Sequence, residues 1–450
     1  MKKSIKGFSK LSKRGKLKWI VENFFIDPEG VMKELMSYWL HDEEKQKILD
    51  EISENTISNF HLPYGVAPNF LINGKTYCVP MVIEESSVVA AASSAAKFWN
   101  TRGGFKTEVI SKIKIGQIHF TWNGDAKILR KHLPKINEVF MKTSDTLTLN
   151  MRKRGGGIQN MELVEFGELE PDYYQFKISF DTVDSMGANF INSVLEACSN
   201  ALIQYMKNTT ELRNSGEHFE LIMSILSNYT PECLVKASIS CPIEELGEIS
   251  GLDAQSFANK FYKAVRIAII DPYRATTHNK GIFNGVDAVA IATGNDFRAI
   301  EACGHAYASK SGSYRSLTTC RLDDGIFHFW LEIPLALGTI GGLTSMHPMA
   351  KRSLELLGNP STDELMGIVA ATGLAQNFAA VRSLITTGIQ MGHMRMHLLN
   401  ILNRLEASEK EIKESLVYFK DKMVSSSAVQ EFLHFLRQQI PEQEPGLPIR

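Results

Sequence analysis

The sequence lacks the features that define several large classes of protein. Its six cysteines, spread over 450 residues, form no C-x-x-C pair, which argues against a zinc ribbon or a disulfide framework and suits reduced thiols in a cytoplasm. No apolar run reaches the roughly 18 residues that a membrane-spanning helix needs. The best candidate, FHFWLEIPLALGTIGGL, is interrupted by Glu332 and Pro334. We therefore expect a cytoplasmic protein without a membrane span.

An excess of charge of one sign is also missing. The formal net charge is −1, so the composition gives no indication of binding to nucleic acid or to an anionic membrane. The first twenty residues differ, because they contain eight basic side chains and no acid, yet no apolar segment of a signal peptide. This segment is either a solvated amphipathic helix or a contact to ligand phosphates.

Changes of hydrophobic period indicate how the chain is organised. Residues 14–55 show helical spacing, and KTYCVPMVIEESSVVAAASSAAKFW is typical of a strand that runs into a helix of small residues. From Lys112 the period becomes two, in KIKIGQIHFTW and later in YYQFKISFDTV, with a helical stretch from Ala126 to Met141 between them. This block, about 112–221, predicts an inserted β-α-β-β-α unit of ferredoxin type.

Charged residues in an apolar segment are the first sign of chemistry. The stretch Thr277–Asp296, THNKGIFNGVDAVAIATGND, carries Lys280 near its start and Asp296 at its end. A charge inside a core is costly unless it is paired, so these residues either form a buried ion pair or take part in a reaction.

The segment DSMGANFINSVLEACSNAL predicts a helix that is entered from a strand. Asp184 is expected to cap this helix, and Gly187 allows close backbone approach at its first turn. The free N–H groups and the positive dipole end of such a helix suit a pyrophosphate. A plain helix cap explains Asp184 equally well, and no G-x-G-x-x-G segment indicates a Rossmann unit.

Two further groups of titratable residues each allow two interpretations. Glu84 and Glu85 precede an Ala/Ser-rich helix, where they either favour the helix dipole or include a proton donor with a raised pKa. His393 and His397 are four residues apart, but the intervening sequence lacks the glutamate of a zinc-protease helix and a third ligand. A histidine near Gly388 and Gly392 is either structural or carried by a moving lid.

Several long motifs together resemble one family. EESSVVAAAS, DSMGAN, DPYRATTHNKGIFNGVDAVAIATGND, GTIGG and GIQMGHM occur in the order found in 3-hydroxy-3-methylglutaryl-CoA reductase, in its soluble, bacterial class II form. The resemblance extends from LPYGVAPNF to beyond His397. It implies the four-electron reduction of 3-hydroxy-3-methylglutaryl-CoA to mevalonate and CoA by two NAD(P)H, which feeds the mevalonate route to isoprenoids.

The same resemblance implies roles for particular residues. Lys280 polarises the thioester carbonyl and stabilises the oxyanion, and Asp296 lies between Lys280 and Glu85. Glu85 donates a proton in the second reduction, and His393 protonates the departing CoA thiolate. The substrate-binding residues implied are Ser87, Asn228, Arg274, Asn284 and Gln376, with Arg274 on the free carboxylate. The cofactor-binding residues implied are Asp184, Met186, Gly187 and Asn189.

The cofactor is expected to be NADPH or NADH, without a metal. Arg152, Lys153 and Arg154 crowd the glycine turn RKRGGG, and the nearest acid is Asp145. Basic residues beside the adenosine ribose favour the 2′-phosphate of NADP, so we expect NADPH. The alternative is a solvated basic turn.

The resemblance also implies an α+β fold. Residues 1–111 and 222–389 are expected to form a large substrate-binding domain, 112–221 a ferredoxin-like cofactor domain, and 390–450 a C-terminal flap. A homodimer, alone or within a larger assembly of dimers, is expected to form the active site between Glu85 of one subunit and the cofactor domain of the other. Two alternatives are NAD-linked oxidation of mevalonate by the same fold and a catalytically silent CoA-binding protein.

Overall fold

The structure is a computed structural model that describes residues 4–386, 388, 398–420, 422 and 424–438. The helices of this part include α1 (Lys13–Phe24), α2 (Pro28–Ser37), α3 (Glu43–Ile52), α4 (Val88–Asn100), α5 (Ala126–Lys153), α6 (Ala188–Asn208), α7 (Thr210–Ser215), α8 (Ala254–Ile270), α9 (Pro272–Ala292), α10 (Phe297–Ala308), α11 (Gly342–Met346), α12 (Pro348–Leu356), α13 (Thr362–Ile385), α14 (Glu409–Tyr418) and α15 (Ser426–Gln438).

The described strands form three antiparallel sheets. The strands are β1 (Tyr64–Ile72), β2 (Lys75–Val82), β3 (Lys106–Val109), β4 (Ile113–Trp122), β5 (Gly157–Glu165), β6 (Tyr173–Asp181), β7 (Phe219–Ser227), β8 (Leu234–Pro242), β9 (Thr318–Asp323) and β10 (Ile326–Pro334). The first two pair with each other, and the remaining eight form sheets of order β3-β8-β10-β9 and β5-β6-β4-β7. This mixture of helices and antiparallel strands confirms the predicted α+β class.

The largest hydrophobic core surrounds α13. This helix is long and apolar enough to cross a membrane, but 78% of its most apolar window is buried inside the protein, as expected for a core helix. It packs against α9, α4 and α8 and against the sheet that contains β8 and β10. The core therefore joins segments on both sides of the block 112–221.

A second core lies between the sheet β5-β6-β4-β7 and the helices α5 and α6. Helix α6 approaches the sheet closely at Gly116 of β4, where a Cβ atom would lie 2.8 Å from Leu195 and 3.0 Å from Ile191. The last strand of this sheet in chain order, β7, continues to Ser227 and so crosses the predicted end of the cofactor domain at residue 221. The division of the chain into domains remains a prediction.

The helices and strands that the hydrophobic periods predict lie at the expected positions, except that helix α5 ends later than predicted. The three N-terminal helices, the β2–α4 unit and the alternating strands β4 and β6 lie where they were predicted. Helix α5 continues beyond the expected end at Met141 to Lys153. Its later turns still bury Ser144, Thr148 and Met151, so small polar side chains take inward positions that an apolar pattern does not reveal.

Two glycines allow α9 and α13 to pack closely. A Cβ atom at Gly285 of α9 would lie 2.8 Å from the carbonyl oxygen of Thr372, and one at Gly373 of α13 would lie 2.8 Å from Val286. The first obstacle is backbone, which cannot turn away as a side chain can. The separation of the two helices therefore depends on Gly285.

We predict that Gly285→Ala destabilises the protein by about 1–3 kcal/mol, because overpacking forces the helices apart. Gly281→Ala is the matched control on the same helix, since its Cβ would meet nothing closer than 3.9 Å. Alanine in a helix is favoured over glycine by about 1 kcal/mol, so the control is expected to be neutral or stabilising. Urea unfolding of both variants measures this, and equal effects would contradict the packing constraint.

Candidate active site

The structure brings Glu85 and Lys280 into direct contact. Glu85 lies in the loop between β2 and α4, and Lys280 lies in the third turn of α9. Lys280 Nζ donates to Glu85 Oε2 at 2.7 Å, and their side chains are 60% and 33% exposed, respectively. Asn284 Nδ2 donates to the same oxygen at 3.4 Å, and Ser87 Oγ donates to Glu85 Oε1 at 3.4 Å. Four of the sequence-predicted residues therefore form one hydrogen-bonded group.

The turn of α9 before Lys280 is held by a buried polar network. His278 and Asn279 are 1% and 0% exposed. His278 Nε2 lies 2.6 Å from Thr318 Oγ1, whose own proton goes to Asn377 Oδ1 of α13 at 3.0 Å. Burial, aided by the charge of Arg274, lowers the pKa of His278 to about 3. The imidazole is therefore neutral and donates from Nε2, so the network holds α9 without a buried charge.

The second anchor of this turn is Asn279, which binds the segment before β9. Its Nδ2 donates to the Arg315 carbonyl at 2.8 Å, and its Oδ1 accepts from the Leu317 N–H at 3.0 Å. With both neighbours directed inward, Lys280 projects outward to Glu85. The motif HNK thus combines two anchors with one exposed cation.

In the single chain, Asp296 is bound by the first turn of the helix that it caps, and its expected place between Lys280 and Glu85 stays a prediction. It is the N-cap of α10, where Oδ1 accepts the N–H groups of Arg298 and Ala299 at 3.1 and 3.2 Å. The Arg298 guanidinium also binds this oxygen, at 3.2 Å. Within the described residues of the single chain, Asp296 has no hydrogen bond to Lys280 or Glu85. His393 and His397 lie outside the described residues.

The expected carboxylate-binding residue has an available guanidinium. Arg274 is half-buried at the start of α9 and forms no side-chain hydrogen bond or ion pair with any described residue. Burial lowers its pKa, against the opposing charge of Asp271. Gln376 packs on α9 at Gly285, and its buried Oε1 has no hydrogen-bond partner in the described part. Asn228 is exposed directly after β7.

The turn before α6 differs from its predicted form. The N-cap of α6 is Gly187, with φ +88° and no side-chain cap. The expectation that Asp184 caps this helix is wrong, because its Oδ1 accepts the Thr362 N–H at the start of α13 at 3.3 Å. The Asp184 carboxylate thus binds the start of α13, which is distant in sequence, and does not bind the first turn of α6. The first N–H groups of α6, including that of Asn189, therefore remain without a side-chain cap.

The basic glycine turn lies against this same turn. A Cβ at Gly156 would lie 2.5 Å from the Asp181 carbonyl and 2.7 Å from Val183. Arg152 forms an ion pair with Asp145. Lys153 and Arg154 are exposed. Within the described residues, the Arg154 side chain donates to the Asn150 carbonyl at 3.3 Å and to the sulfur of Met151, and it has no acidic partner. Uncapped N–H groups beside exposed cations fit a phosphorylated ligand such as a dinucleotide.

One titratable pair was missed by sequence reasoning. Asp287 lies on the same face of α9 as Lys280 and Asn284, at a spacing of four and then three residues. Its Oδ1 is buried without a donor in the described part. Burial and the neighbouring Glu301 carboxylate of α10 raise the pKa of Asp287 from 3.8 to about 8. The sequence did contain a signal for this buried acid, because VDAV places Asp287 between apolar residues. The side chains of Lys280 and Asp296, which sequence reasoning selected instead, are partly exposed.

No group of three or more His, Cys, Asp and Glu side chains within the described ranges is arranged to hold a metal ion. All six cysteines are free thiols. The chemistry available here is therefore that of a lysine, a carboxylate and amide or hydroxyl groups, beside a surface for phosphates.

Comparisons with known proteins agree on one family. A family model described as hydroxymethylglutaryl-coenzyme A reductase matches residues 25–398. The chain is 36% identical over 447 residues to 3-hydroxy-3-methylglutaryl-coenzyme A reductase of Archaeoglobus fulgidus, covering 97% of this chain and 95% of the relative. It is 32% identical over 407 residues to a probable enzyme of that name from Borreliella burgdorferi, covering 90% and 88%.

Solved structures give the same result. The class II 3-hydroxy-3-methylglutaryl-CoA reductase of Streptococcus pneumoniae, bound to NADPH in open conformations, has a TM-score of 0.69 and 36% identity, covering 91% of this chain and 98% of that one.

The raised pKa of Asp287 predicts a pH effect on stability. Between its ordinary pKa of 3.8 and about 8, the folded chain keeps a proton that the unfolded chain releases. Stability therefore falls as pH rises through this range. We predict that Asp287→Asn reduces the fall between about pH 5 and pH 8 by on the order of 2 kcal/mol. Urea unfolding at several pH values measures the slope. Glu301→Gln is expected to flatten this slope likewise, and a wild-type slope in both variants would show that Asp287 does not keep its proton in the folded chain.

Proposed function

The chain belongs to the hydroxymethylglutaryl-coenzyme A reductase family, and we propose that Glu85, Lys280, Asp296 and His393 are its catalytic residues. The reaction is the reduction of 3-hydroxy-3-methylglutaryl-CoA to mevalonate and CoA, with the consumption of two NAD(P)H and two protons. The observation that carries the residue assignment is the contact of Lys280 with Glu85, supported by Ser87 and Asn284. We also propose that the enzyme is cytoplasmic and acts in the biosynthetic direction.

The bound nicotinamide supplies hydride to the thioester carbonyl and then to the aldehyde carbonyl. What the protein must supply is charge stabilisation and protons. Lys280 is the cation for the carbonyl oxygen, since its ammonium is partly exposed and its neighbours fix the helix on which it lies. One such donor is worth about 3–4 kcal/mol in a transition state.

Glu85 is the proton donor to the aldehyde oxygen. Its two carboxyl oxygens are held by different partners, Oε2 by Lys280 and Asn284 and Oε1 by Ser87. These contacts fix the direction of the carboxyl group, and positioning of this kind is a large part of general acid catalysis. A proton on Glu85 and the charge on Lys280 then act on the same oxygen of the substrate.

Asp296 and His393 complete the proposed set. Asp296 pairs with Lys280 and Glu85 in the assembled site, and His393 protonates the CoA thiolate, so that CoA leaves as the neutral thiol. The single chain leaves Asp296 bound to Arg298, so its catalytic role requires a rearrangement or a second copy of the chain. The flap assignment of 390–450 is part of this proposal.

The substrate-binding residues are proposed to be Ser87, Asn228, Arg274, Asn284 and Gln376. Arg274 is suited to the free carboxylate because its guanidinium has no other partner among the described residues and can bind both oxygens. Gln376 offers a buried amide oxygen that accepts no hydrogen bond from the described residues, which suits a substrate hydroxyl. Burial of an unpaired polar atom is unfavourable until such a ligand arrives.

The nucleotide is proposed to bind between the α6 turn and the basic turn. Asp184, Met186, Gly187 and Asn189 form the first side, with uncapped N–H groups at the start of α6. The second side is Arg152, Lys153 and Arg154, which we assign to the 2′-phosphate of NADPH. The NADPH bound to the Streptococcus pneumoniae enzyme supports this choice of nucleotide.

A homodimer is proposed to complete the active site, with Glu85 and the cofactor domain contributed by different subunits. Large apolar side chains remain exposed in the single chain, including Phe60 at 91%, Tyr273 at 89% and Ile270 at 69%. Tyr273 directly precedes Arg274, so the exposed apolar surface adjoins the substrate site. Sedimentation equilibrium tests the assembly, and a monomer of 50.3 kDa at micromolar concentration would refute it.

We predict that Lys280→Met lowers kcat about 100- to 1,000-fold, because the oxyanion loses its cation. The decay of nicotinamide absorbance with 3-hydroxy-3-methylglutaryl-CoA measures this. Lys263→Met is the control, since Lys263 is an exposed lysine of α8 that forms no ion pair with any described residue, and it is expected to leave kcat unchanged. Wild-type turnover by Lys280→Met would exclude the oxyanion role, and no turnover by the wild-type protein would exclude the proposed reaction.

We predict that changing Arg152, Lys153 and Arg154 together to Ala raises the KM for NADPH about tenfold or more, with little change for NADH. Because Arg152 is already paired with Asp145, Arg152→Ala alone is expected to have the smallest effect of the three single changes. Lys142→Ala, an exposed lysine on the same helix, is the control. Parallel assays with NADPH and NADH measure the two KM values. An unchanged preference between the nucleotides would indicate a solvated basic turn. Faster turnover of the wild-type enzyme with NADH would favour the catabolic direction.

A further inference from the structure

Lys114 is a buried lysine below the first turn of α6. It is the second residue of β4 and only 4% exposed. Side chains alternate along a strand, so Lys114 faces the same side of the sheet as Gly116, on which Ile191 and Leu195 of α6 pack. Lys114 lies two residues before Gly116 on β4, in the direction of the start of α6. Its ammonium therefore reaches the turn that leads into α6.

The ammonium binds that turn at two points. Lys114 Nζ donates to Thr182 Oγ1 and, at 2.9 Å, to the Ser185 carbonyl. Thr182 Oγ1 itself donates to the Ser185 carbonyl at 2.6 Å. A Cβ at Gly187 would lie 2.4 Å from Thr182 Cγ2, so the turn is packed tightly against the residue that Lys114 holds.

The charge of Lys114 has no ion-pair partner among the described residues. The titratable groups near it are Lys112 just before β4, Asp181 at the end of β6, Asp184 in the turn, and Cys233 before β8. Lys112 is already paired with Asp363 at 2.8 Å, and burial raises the pKa of the Cys233 thiol to about 11. Burial lowers the pKa of Lys114, and these acids compensate only in part.

An unpaired buried cation is unfavourable, and an apolar side chain of similar length would fill the same space without that cost. Two hydrogen bonds to neutral oxygens do not require a full positive charge. The turn lies where the proposed nucleotide presents its phosphates, which are the anions that a cation behind uncapped N–H groups stabilises.

Resting on the proposed function, we propose that Lys114 is a positioning residue for the nicotinamide nucleotide. Its ammonium holds the turn from Thr182 to Ser185 at the start of α6 and adds a positive charge behind the N–H groups that receive the nucleotide phosphates. Nucleotide affinity therefore depends on the charge of Lys114 as well as on the shape of the turn.

This dependence has a defined sign. A bound anion favours protonated Lys114, so binding weakens as pH rises through the pKa of Lys114 in the free protein. Titration of the nucleotide phosphates does not contribute to the pH dependence above about pH 7, since a phosphate monoester has its second pKa near 6. Lys153 of the basic turn is present in every variant compared, so differences between variants isolate Lys114.

The experiment is the titration of NADPH into the 450-residue protein, followed by nucleotide fluorescence, between about pH 7 and pH 10. We expect Lys114→Met to weaken binding about tenfold or more and to flatten the pH dependence. Thr182→Val removes the hydroxyl but keeps the ammonium, so it should weaken binding less and keep the wild-type pH dependence. Lys177→Met removes a charge from the opposite face of the same sheet and should change neither.

Three results would overturn the proposal. One is a Kd of folded Lys114→Met within twofold of wild type, and another is a wild-type pH dependence in that variant, which would leave Lys114 a purely structural tie. The third is a wild-type Kd that does not change over this pH range, which decides the question even if Lys114→Met does not fold. Failure of the proposed function is distinguishable, because the wild-type protein would then neither bind NADPH nor oxidise it with substrate.

Discussion

The close contact between α9 and α13 is the constraint on which the rest of the site depends. Gly285 and Gly373 allow the two helices to approach until a Cβ would strike backbone or side chain. The neutral His278–Thr318–Asn377 network then fixes their relative positions from within the core. Lys280 is two residues beyond His278, so any change in this contact moves the cation away from Glu85.

A second constraint acts at the turn before α6. The turn is bound from the sheet side by Lys114 and from the other side by Thr339 and Thr362, whose N–H groups bind Asp184. A Cβ at Gly338 would lie 2.4 Å from the Met186 nitrogen. The proposed nucleotide site is thus held by both cores of the molecule, which links the cofactor side to the elements that carry Lys280.

The sequence predicted much of the local structure because periodicity and capping act over short distances. The N-terminal helices, β4, β6 and the β2–α4 unit follow from their own residues. The predicted cap of α6 was wrong because the N–H of Thr362, 178 residues away, binds the Asp184 carboxylate. The extent of α5 was also underestimated, since its last turns bury polar side chains that carry no hydrophobic signal.

By itself the sequence determined the α+β class, the family, and the identity of Lys280 and Glu85 as candidates, because these depend on motifs and on local spacing. Only the tertiary structure placed those two side chains 2.7 Å apart across 195 residues of chain. It also showed that Asp296 binds Arg298 within one chain, and it revealed the carboxyl pair of Asp287 and Glu301 and the buried charge of Lys114. These features depend on which elements pack together and how much water they exclude, and neither is encoded in any single segment.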